Sequence, residues 1–304
     1  MAPLPLSTMP QHPLDAQFSY LSISYHHSLP FVTVVALNRP KKANAINAQM
    51  WKEIGDAFSH IGTTGDGCRC ILMIGSGKGF CGGIDVTDEK FFSGIDCNYT
   101  GDDNSSQDVA RKSIAFRSQI LQMQSAFTAV EECPVPVVAA IHGACIGAGI
   151  DLTCCADVRV CSPDAKFSIR EVRLGLAADV GTLQRFPKLV GFGSRVRELC
   201  FTGEDFSADD ALRIGFVSRI SPTKHSLIDT ANDICQRISR NSPVAATITK
   251  ASLNFSRDHA VSEGLEHVAL HNSTALMSED LVKSFMMKGG GAIHFEPLHS
   301  HSRL

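Results

Sequence analysis

The stretch of residues 141–181 limits the fold more than any other part of the chain. It continues an apolar run, Val137–Ile141, whose composition predicts a buried strand. Small residues then lead into a short apolar helix: Gly143, Ala144, Gly147, Ala148 and Gly149. A strand that runs through glycines into a helix presents free backbone N–H groups, and a helix N-terminus attracts negative charge. The sequence therefore predicts an anion-stabilising turn here.

Three carboxylates follow within the same stretch, which is otherwise apolar and small: Asp151, Glu171 and Asp179. Free amides beside carboxylates in an apolar pocket indicate proton transfer next to a carbonyl group. Each feature alone has an ordinary structural explanation. A glycine-rich turn can simply pack tightly, Asp151 can be an acid in the first turn of a helix, and Glu171 can be a solvated charge.

A second loop of the same kind, Gly75–Asp85, directly follows a predicted strand, Cys70–Ile74. Two such loops can each contribute one N–H group to a single oxygen. The alternatives are a flexible glycine loop or a phosphate loop. A phosphate loop of the GxxxxGK[ST] type is excluded because no Lys-Ser or Lys-Thr pair closes the pattern.

The remaining pattern alternates strands and helices as far as about residue 220 and is helical afterwards. This order predicts an α/β fold. Four regions follow: a disordered lead-in (1–17), an α/β core with the active site (18–220), a C-terminal helical region (221–290) and an exposed tail (291–304). Within the core, the pattern predicts strands at Phe18–His26, Phe31–Leu37 and Phe216–Ile220, and helices at Ala48–Ile61 and Ser113–Glu132.

Composition is that of an ordinary globular protein: 304 residues, 44% hydrophobic, with a formal net charge of −3. This balance gives no reason to expect nucleic acid as a partner, and no apolar run approaches the roughly 20 residues of a membrane helix. The 11 cysteines lie in apolar runs without a CxxC pair, which favours buried free thiols. His267 and His271 lack a third ligand, so no metal is expected.

Four segments together resemble the crotonase superfamily, the enoyl-CoA hydratases and isomerases. They read GFCGGIDV (79–86), AAIHGACIGAGIDL (139–152), CADVRVCS (155–162) and REVRLGLAADVGTLQRFPKLVG (170–191). The resemblance extends from about Tyr20 to about Gly289. Its last segment is the most specific, and it is similar to the Δ3,5-Δ2,4-dienoyl-CoA isomerase branch.

The resemblance implies a spiral of ββα turns whose C-terminal helices build trimers, often stacked as hexamers. It also implies an acyl-CoA substrate, with CoA as part of the substrate and no separate cofactor. The thioester oxygen is expected to accept hydrogen bonds from the backbone N–H groups of Ile84 and Ala148. Expected CoA and substrate contacts come from three segments: the loop of Lys41, Lys42, Ala43, Asn44 and Ala45, the glycine-rich loop at Gly83, and the glycine-rich turn at Gly149.

The carboxylates distinguish the branches of the superfamily. Hydratases resemble this chain but carry Glu in place of Asp151 and Gly in place of Asp179, whereas both aspartates match the dienoyl-CoA isomerases. Conversion of a 3,5- to a 2,4-dienoyl-CoA, a step of unsaturated fatty acid β-oxidation, moves a proton from C2 to C6. The expected roles are Glu171 as base at C2 and Asp179 as acid at C6, or the reverse, with Asp151 orienting or tuning them.

Two other readings of the resemblance remain open. A sister enzyme, either a hydratase or a Δ3-Δ2-enoyl-CoA isomerase, is disfavoured by Asp179. A non-catalytic CoA-binding or RNA-binding scaffold is disfavoured because all three acids are retained and no basic run occurs.

The chain ends in Ser302-Arg303-Leu304, which resembles the peroxisomal signal S-K-L with Arg for Lys. We therefore expect peroxisomal localisation and an import receptor as a partner. We expect structural roles for the remaining acids. Asp157 is predicted to pair with Arg159 and Asp85 to fix its loop, and Asp209 and Asp210 are predicted to be acids in the first turn of a helix.

Overall fold

The computed structural model of the chain describes residues 9–61, 63, 67–88, 108–286 and 293–298. Its strands are β1 Leu21–Tyr25, β2 Val32–Leu37, β3 Cys70–Gly75, β4 Val137–Ile141, β5 Ala144–Ile146, β6 Val158–Cys161, β7 Lys166–Ser168, β8 Asp205–Ser207 and β9 Arg219–Ile220. Its helices are α1 Ala48–His60, α2 Val109–Glu132, α3 Ala148–Cys154, α4 Thr182–Val190, α5 Ser194–Thr202, α6 Ala208–Arg213, α7 Leu227–Ser239, α8 Pro243–Ser256, α9 Val261–Ala275 and α10 Glu279–Met286.

The larger sheet has the strand order β1-β2-β3-β4-β6-β9. Strand β1 is antiparallel to β2, and every other neighbouring pair is parallel. All residues of β2, β3 and β4 are buried, as expected for parallel strands that are covered on both faces. A smaller sheet, β5-β7-β8, carries residues that flank the glycine-rich turn. The predicted α/β fold is therefore confirmed.

Alternate residues of the central strands pack into two separate apolar clusters, one on each face of the larger sheet. Met73 of β3 belongs to the larger cluster, which includes Phe127 of α2. Its neighbour Leu72 belongs to the other cluster, with Leu227 and Ala231 of α7. Helix α7 thus covers one face of the sheet, although the sequence pattern assigns it to the C-terminal helical region. No helix within the described ranges is long and apolar enough to cross a bilayer.

The two glycine-rich loops lie side by side. Cys81 and Cys145 form a parallel bridge, the Cys81 N–H donates to the Ala144 carbonyl at 2.9 Å, and the Ile146 N–H donates to the Cys81 carbonyl at 3.0 Å. The Phe80 N–H donates to the carbonyl of His142 at 2.8 Å. These backbone hydrogen bonds fix the loop after β3 against the turn after β4, which is what a shared oxygen site requires.

Three sequence-based predictions need correction. The predicted exposed tail, 291–304, is described only at 293–298, where Phe295 is buried and its carbonyl accepts a hydrogen bond from Arg69. Residues 1–8 of the predicted lead-in lie outside the described ranges. The described part of the lead-in, residues 9–17, is ordered: Met9 is buried and the Asp15 carboxylate accepts the Ile23 N–H at 2.6 Å. Asp157 pairs with Lys250 of α8, with Nζ and Oδ2 2.8 Å apart, rather than with Arg159. The sequence pattern could not indicate the Asp157–Lys250 pair, because the two residues are remote in sequence. It could not indicate the contacts of the lead-in either, because that segment has no periodic pattern.

Other predicted elements agree closely with the structure. Helix α1 starts where the Asn47 side chain accepts the Met50 N–H at 2.9 Å, which satisfies one of the free N–H groups of the first turn. Asp210 takes part in a capping box with Ser207 at the start of α6, as its helix-acid reading predicts. The short strands β5 and β8 were not predicted, because three-residue strands carry too little alternation to be recognised.

Candidate active site

The two backbone N–H groups predicted for an oxyanion site are those of Ile84 and Ala148. Ile46 bridges to Ile84 by bonding the Gly83 carbonyl and the Asp85 N–H, so the N–H of Ile84 itself points away from that bridge. Ala148 is the first residue of α3, whose N–H has no acceptor within the helix. Among the described residues neither group has a hydrogen-bond acceptor.

Gly147 brings the two loops and a catalytic candidate together. Its backbone has φ 51° and ψ −118°, a conformation that a side chain disfavours. A Cβ built on it would lie 3.2 Å from Oε1 of Glu171 and 4.0 Å from the Cα of Gly83. Glycine at this position therefore lets the Glu171 carboxylate approach the backbone directly before Ala148.

Glu171 begins a 3-10 helix, Glu171–Leu174, that follows β7. Its Oε2 is buried and receives no N–H or hydroxyl donor among the described residues, and the carboxyl of Asp151 lies within hydrogen-bonding reach of the Glu171 side chain. Burial raises the pKa of this carboxyl above its ordinary value, and the negative charge of Asp179 raises it further. A raised pKa makes a carboxylate a stronger base, which suits the removal of a proton from carbon.

Asp151 is fully buried in the first turn of α3. Its Oδ1 accepts the backbone N–H of Thr182 at 2.6 Å, whereas its Oδ2 receives no N–H or hydroxyl donor among the described residues and its carboxyl neighbours that of Glu171. Burial, and then the charge of Glu171, raise the pKa of Asp151 to about 7. Because two neighbouring carboxylates in a low-dielectric site cannot easily both ionise, Asp151 and Glu171 hold less than two full charges at neutral pH.

Asp179 lies on the turn between that 3-10 helix and α4 and is half-buried. Burial raises the pKa of its carboxyl. The charges of Asp179 and Glu171 influence each other, so the structure brings all three predicted acids into one electrostatic neighbourhood. Sequence reasoning missed Gln124 of α2, whose Nε2 donates to the Asp179 carbonyl at 2.6 Å; a single glutamine on an amphipathic helix carries no signal of such a contact.

The predicted CoA-binding loop, residues 41–45, has one residue with a clear internal role. Asn44 is fully buried, and its Nδ2 lies 2.8–3.1 Å from the carbonyls of Ser76, Gly79 and Phe80. Its side chain therefore shapes the glycine loop after β3 rather than facing solvent. Lys41 and Lys42 are exposed at the end of a short 3-10 helix, where a phosphate can reach them.

Ala43 and Ala45 of this loop form backbone hydrogen bonds. Ala43 is left-handed, with φ 50°, and its carbonyl accepts the Gly82 N–H at 2.8 Å. The Ala45 N–H bonds back to the carbonyl of Lys42 at 2.9 Å. Gly149 of α3 packs so tightly that an added Cβ would lie 3.0 Å from the Cβ of Cys81.

Asp85 holds the second loop in place, as its sequence reading predicts. It accepts hydrogen bonds from the Thr87 hydroxyl at 2.6 Å and from Arg39 at 2.9 Å, and these interactions lower its pKa to about 2. Within the described ranges, no group of three or more His, Cys, Asp and Glu side chains is arranged to hold a metal ion. The rings of His267 and His271 contact each other at a tilt of 45°, with centroids 4.3 Å apart.

The fold, three acids with raised pKa values and two backbone N–H groups at a helix start are what an acid–base enzyme of acyl thioesters requires. Residues 30–290 match the family described as enoyl-CoA hydratase/isomerase, and the chain belongs to this family. It is 46% identical over 266 residues to the human mitochondrial Δ3,5-Δ2,4-dienoyl-CoA isomerase, covering 88% of this chain and 78% of that one. It is 42% identical to the peroxisomal enzyme of the same name from Arabidopsis thaliana, covering 83% and 88% of the two chains.

Solved structures agree on the fold. An enoyl-CoA hydratase from Bacillus anthracis superposes with a TM-score of 0.79 at 23% identity, over 92% of this chain and all of that one. One from Mycobacterium smegmatis superposes with a TM-score of 0.74 at 22% identity, over 88% and 95% of the two chains. At this level of identity the likeness shows the crotonase fold alone.

Proposed function

We propose that this chain converts 3,5-dienoyl-CoA thioesters into 2,4-dienoyl-CoA thioesters in the oxidation of unsaturated fatty acids. The observation that carries the proposal is the presence of three carboxyls, Asp151, Glu171 and Asp179, with raised pKa values beside two free N–H groups. The names of the relatives at 42–46% identity support it.

The chemistry follows from the charges that develop on the substrate. Removal of a proton from C2 creates an extended dienolate, whose negative charge collects on the thioester oxygen. The N–H groups of Ile84 and Ala148, with the positive end of α3, are suited to stabilise that oxygen. Returning a proton at C6 completes the shift, so atoms and charge balance without a separate cofactor.

Two acids at different places suit a proton that must leave one carbon and arrive at a distant one. We assign Glu171 to C2, because its carboxylate lies beside the oxyanion turn at Gly147, and Asp179 to C6. Asp151 is fully buried and accepts the Thr182 N–H, and its raised pKa beside Glu171 keeps the Asp151–Glu171 pair below two full negative charges. Asn44 and the exposed lysines Lys41 and Lys42 fit a loop that receives CoA.

Incubation with 3,5-octadienoyl-CoA tests the proposal directly. The conjugated 2,4-dienoyl product absorbs strongly in the near ultraviolet, so its formation can be followed continuously. We expect product without added cofactor or metal. Hydration of 2-enoyl-CoA in place of isomerisation would assign the chain to the hydratases, and binding of acyl-CoA without turnover would assign it to the non-catalytic scaffolds.

Assembly into trimers or hexamers is part of the same proposal. Helices α8–α10 and the residue after α9 carry exposed apolar side chains that a neighbouring subunit can cover: Leu253, Val261, Leu265, Leu270, Leu276, Val282 and Phe285. Light scattering coupled to size-exclusion chromatography measures the mass. A single Leu265→Arg or Leu270→Arg change at such a face is expected to shift the protein towards smaller species.

Peroxisomal import through Ser302-Arg303-Leu304 also remains a proposal, because these residues lie outside the described ranges. The Arabidopsis relative is named as a peroxisomal enzyme, and the human relative is named as a mitochondrial one. A fluorescent protein that carries the last dozen residues is expected to enter peroxisomes, and removal of Leu304 is expected to disperse it. Purely mitochondrial or cytosolic staining of the intact tail would contradict the proposal.

A further inference from the structure

The turn that carries Asp179 has unusually little backbone support. Among the described residues, none of Ala177, Ala178, Asp179 or Val180 takes part in a backbone-to-backbone hydrogen bond. The turn is anchored on its C-terminal side, where the Thr182 N–H donates to Asp151. At Asp179 itself, the backbone carbonyl accepts the Gln124 side-chain amide at 2.6 Å.

Gln124 belongs to a polar stripe on α2 that faces α4. Thr128, one turn further along, accepts from Nη2 of Arg185 at 3.0 Å. Glu131, another turn along, accepts from Nε and Nη2 of Arg185 at 3.1 and 3.0 Å, and also from Arg257 of α8. Three side chains of α2, each about one helical turn from the next, thus contact the Asp179 turn and the beginning of α4.

Gly181 lets Arg185 pack directly beneath the turn. Its φ of 135° lies in the region that favours glycine, and a Cβ at this position would collide with the Arg185 guanidinium. A cavity of about 290 Å³ adjoins these groups and is lined by Gln124, Thr128, Gly181, Arg185 and Arg257 among others. The side chains of Ala178 and Val180, on either side of Asp179, are buried in the larger apolar cluster. The peptide carbonyl of Asp179 faces the side where this cavity lies, and there Gln124 is its hydrogen-bond donor.

We propose that Gln124 is a positioning residue for the distal proton transfer, because its amide holds the Asp179 peptide and so aims the carboxyl at the substrate. This inference rests on the proposed isomerase function and adds a residue to it. Gln124 contacts the backbone of the acid and not its carboxyl, so it acts through Asp179. A displacement of about 1 Å of a catalytic group can cost up to about 100-fold in rate.

Two variants remove the donor without shortening the side chain: Gln124→Met, which is apolar, and Gln124→Glu, which remains polar but only accepts at neutral pH. Both are expected to lower kcat for 3,5-octadienoyl-CoA by roughly 10- to 100-fold, with KM little changed because the CoA and thioester contacts lie elsewhere. Gln122→Met is the matched control. Gln122 lies on the same helix with an exposed side chain and is expected to retain full turnover.

A double variant separates positioning from general structural support. If Gln124 acts only through Asp179, adding Gln124→Met to Asp179→Asn should lower kcat no further. Exchange of substrate protons with deuterium from solvent gives a second readout: Gln124→Met should slow the same one of the C2 and C6 exchange reactions that Asp179→Asn slows.

Three results are distinguishable. A wild-type protein that does not isomerise the dienoyl thioester contradicts the proposed function itself. An active wild type with full turnover in both Gln124 variants contradicts the positioning role. A further loss in the double variant equal to that of Gln124→Met alone, or equal slowing of both exchange reactions, would assign Gln124 a structural role independent of Asp179. Should one Gln124 variant not fold, the other answers the question.

Discussion

The buried carboxyl of Asp151 accepts the backbone N–H of Thr182 at 2.6 Å, and this hydrogen bond ties the first turn of α3 to the start of α4. Each helix begins beside a part of the site: α3 at the free N–H of Ala148, and α4 directly after the turn that carries Asp179. The positions of the proposed oxyanion N–H group of Ala148 and of the proposed distal acid, Asp179, are thereby linked through one side chain.

The pH dependence of stability should reveal the proton on Asp151. Its pKa is about 7 in the folded protein, against 3.8 as the ordinary value, because of burial and the charge of Glu171. The folded state therefore binds a proton that the unfolded chain releases, so stability from this group is present below about pH 4 and is lost as the pH rises through about 7.

Asp151→Asn keeps an oxygen for the Thr182 N–H and never ionises. Its stability relative to wild type should therefore rise between pH 4 and pH 8, by up to about 4 kcal/mol. Thermal unfolding of both proteins across this pH range measures the difference. A difference that stays constant with pH would mean that Asp151 titrates near its ordinary value.

Asp179→Asn should lower turnover of a 3,5-dienoyl-CoA by roughly 10²- to 10⁴-fold, since Asn keeps the shape but cannot exchange a proton. Substrate binding should change little. Steady-state kinetics and isothermal titration with the substrate measure the two effects. The control is Asp209→Asn, which changes an exposed acid of α6. A well-folded Asp179→Asn enzyme with normal turnover would remove this residue from the mechanism.

Gly149→Ala should displace the start of α3, which carries the proposed oxyanion N–H group of Ala148. The added methyl group would lie 3.0 Å from the Cβ of Cys81 and 3.2 Å from its carbonyl oxygen, so α3 must shift away from the loop after β3. We expect kcat to fall by about 10-fold or more. Gly193→Ala, where an added Cβ meets nothing within 4 Å, should behave as wild type in the same assay.

Lys250→Met should destabilise the protein by about 3 kcal/mol, since it leaves Asp157 without the ammonium group 2.8 Å away in a largely buried pair. Urea unfolding measures the loss. Lys52→Met breaks an exposed pair with Asp56 and should cost less than about 1 kcal/mol. Adding Asp157→Asn to Lys250→Met should recover part of the loss; an additive loss would show that the pair does not interact.

Local patterns predicted the central strands and the first helix nearly to the residue. Val137–Ile141 is wholly apolar and lies between glycines and prolines, and α1 has both a periodic apolar face and a capping asparagine. These signals arise within a few residues of sequence. The three acids could be predicted for a related reason, since carboxylates stand out in a stretch that is otherwise apolar.

Contacts between distant segments could not be predicted in this way. Asn44 resembles a ligand-binding amide in sequence, and only the tertiary structure reveals its bonds to three carbonyls of another loop. The same limit applies to Lys250 and Gln124, whose partners lie on other elements. The local sequence around a polar helix residue does not show whether its side chain contacts a buried protein group or solvent.

The ordered lead-in has a practical consequence for handling the protein. Strand β1 is an outer strand of the larger sheet, and the segment before it pairs with that edge: the Tyr25 N–H donates to the Pro10 carbonyl at 2.9 Å, and Gln11 bridges to Ser24. Unpaired sheet edges recruit other chains. Deleting residues 9–17 to trim the N-terminus would therefore favour aggregation during expression, whereas an affinity tag fused ahead of Met9 leaves this protective pairing intact.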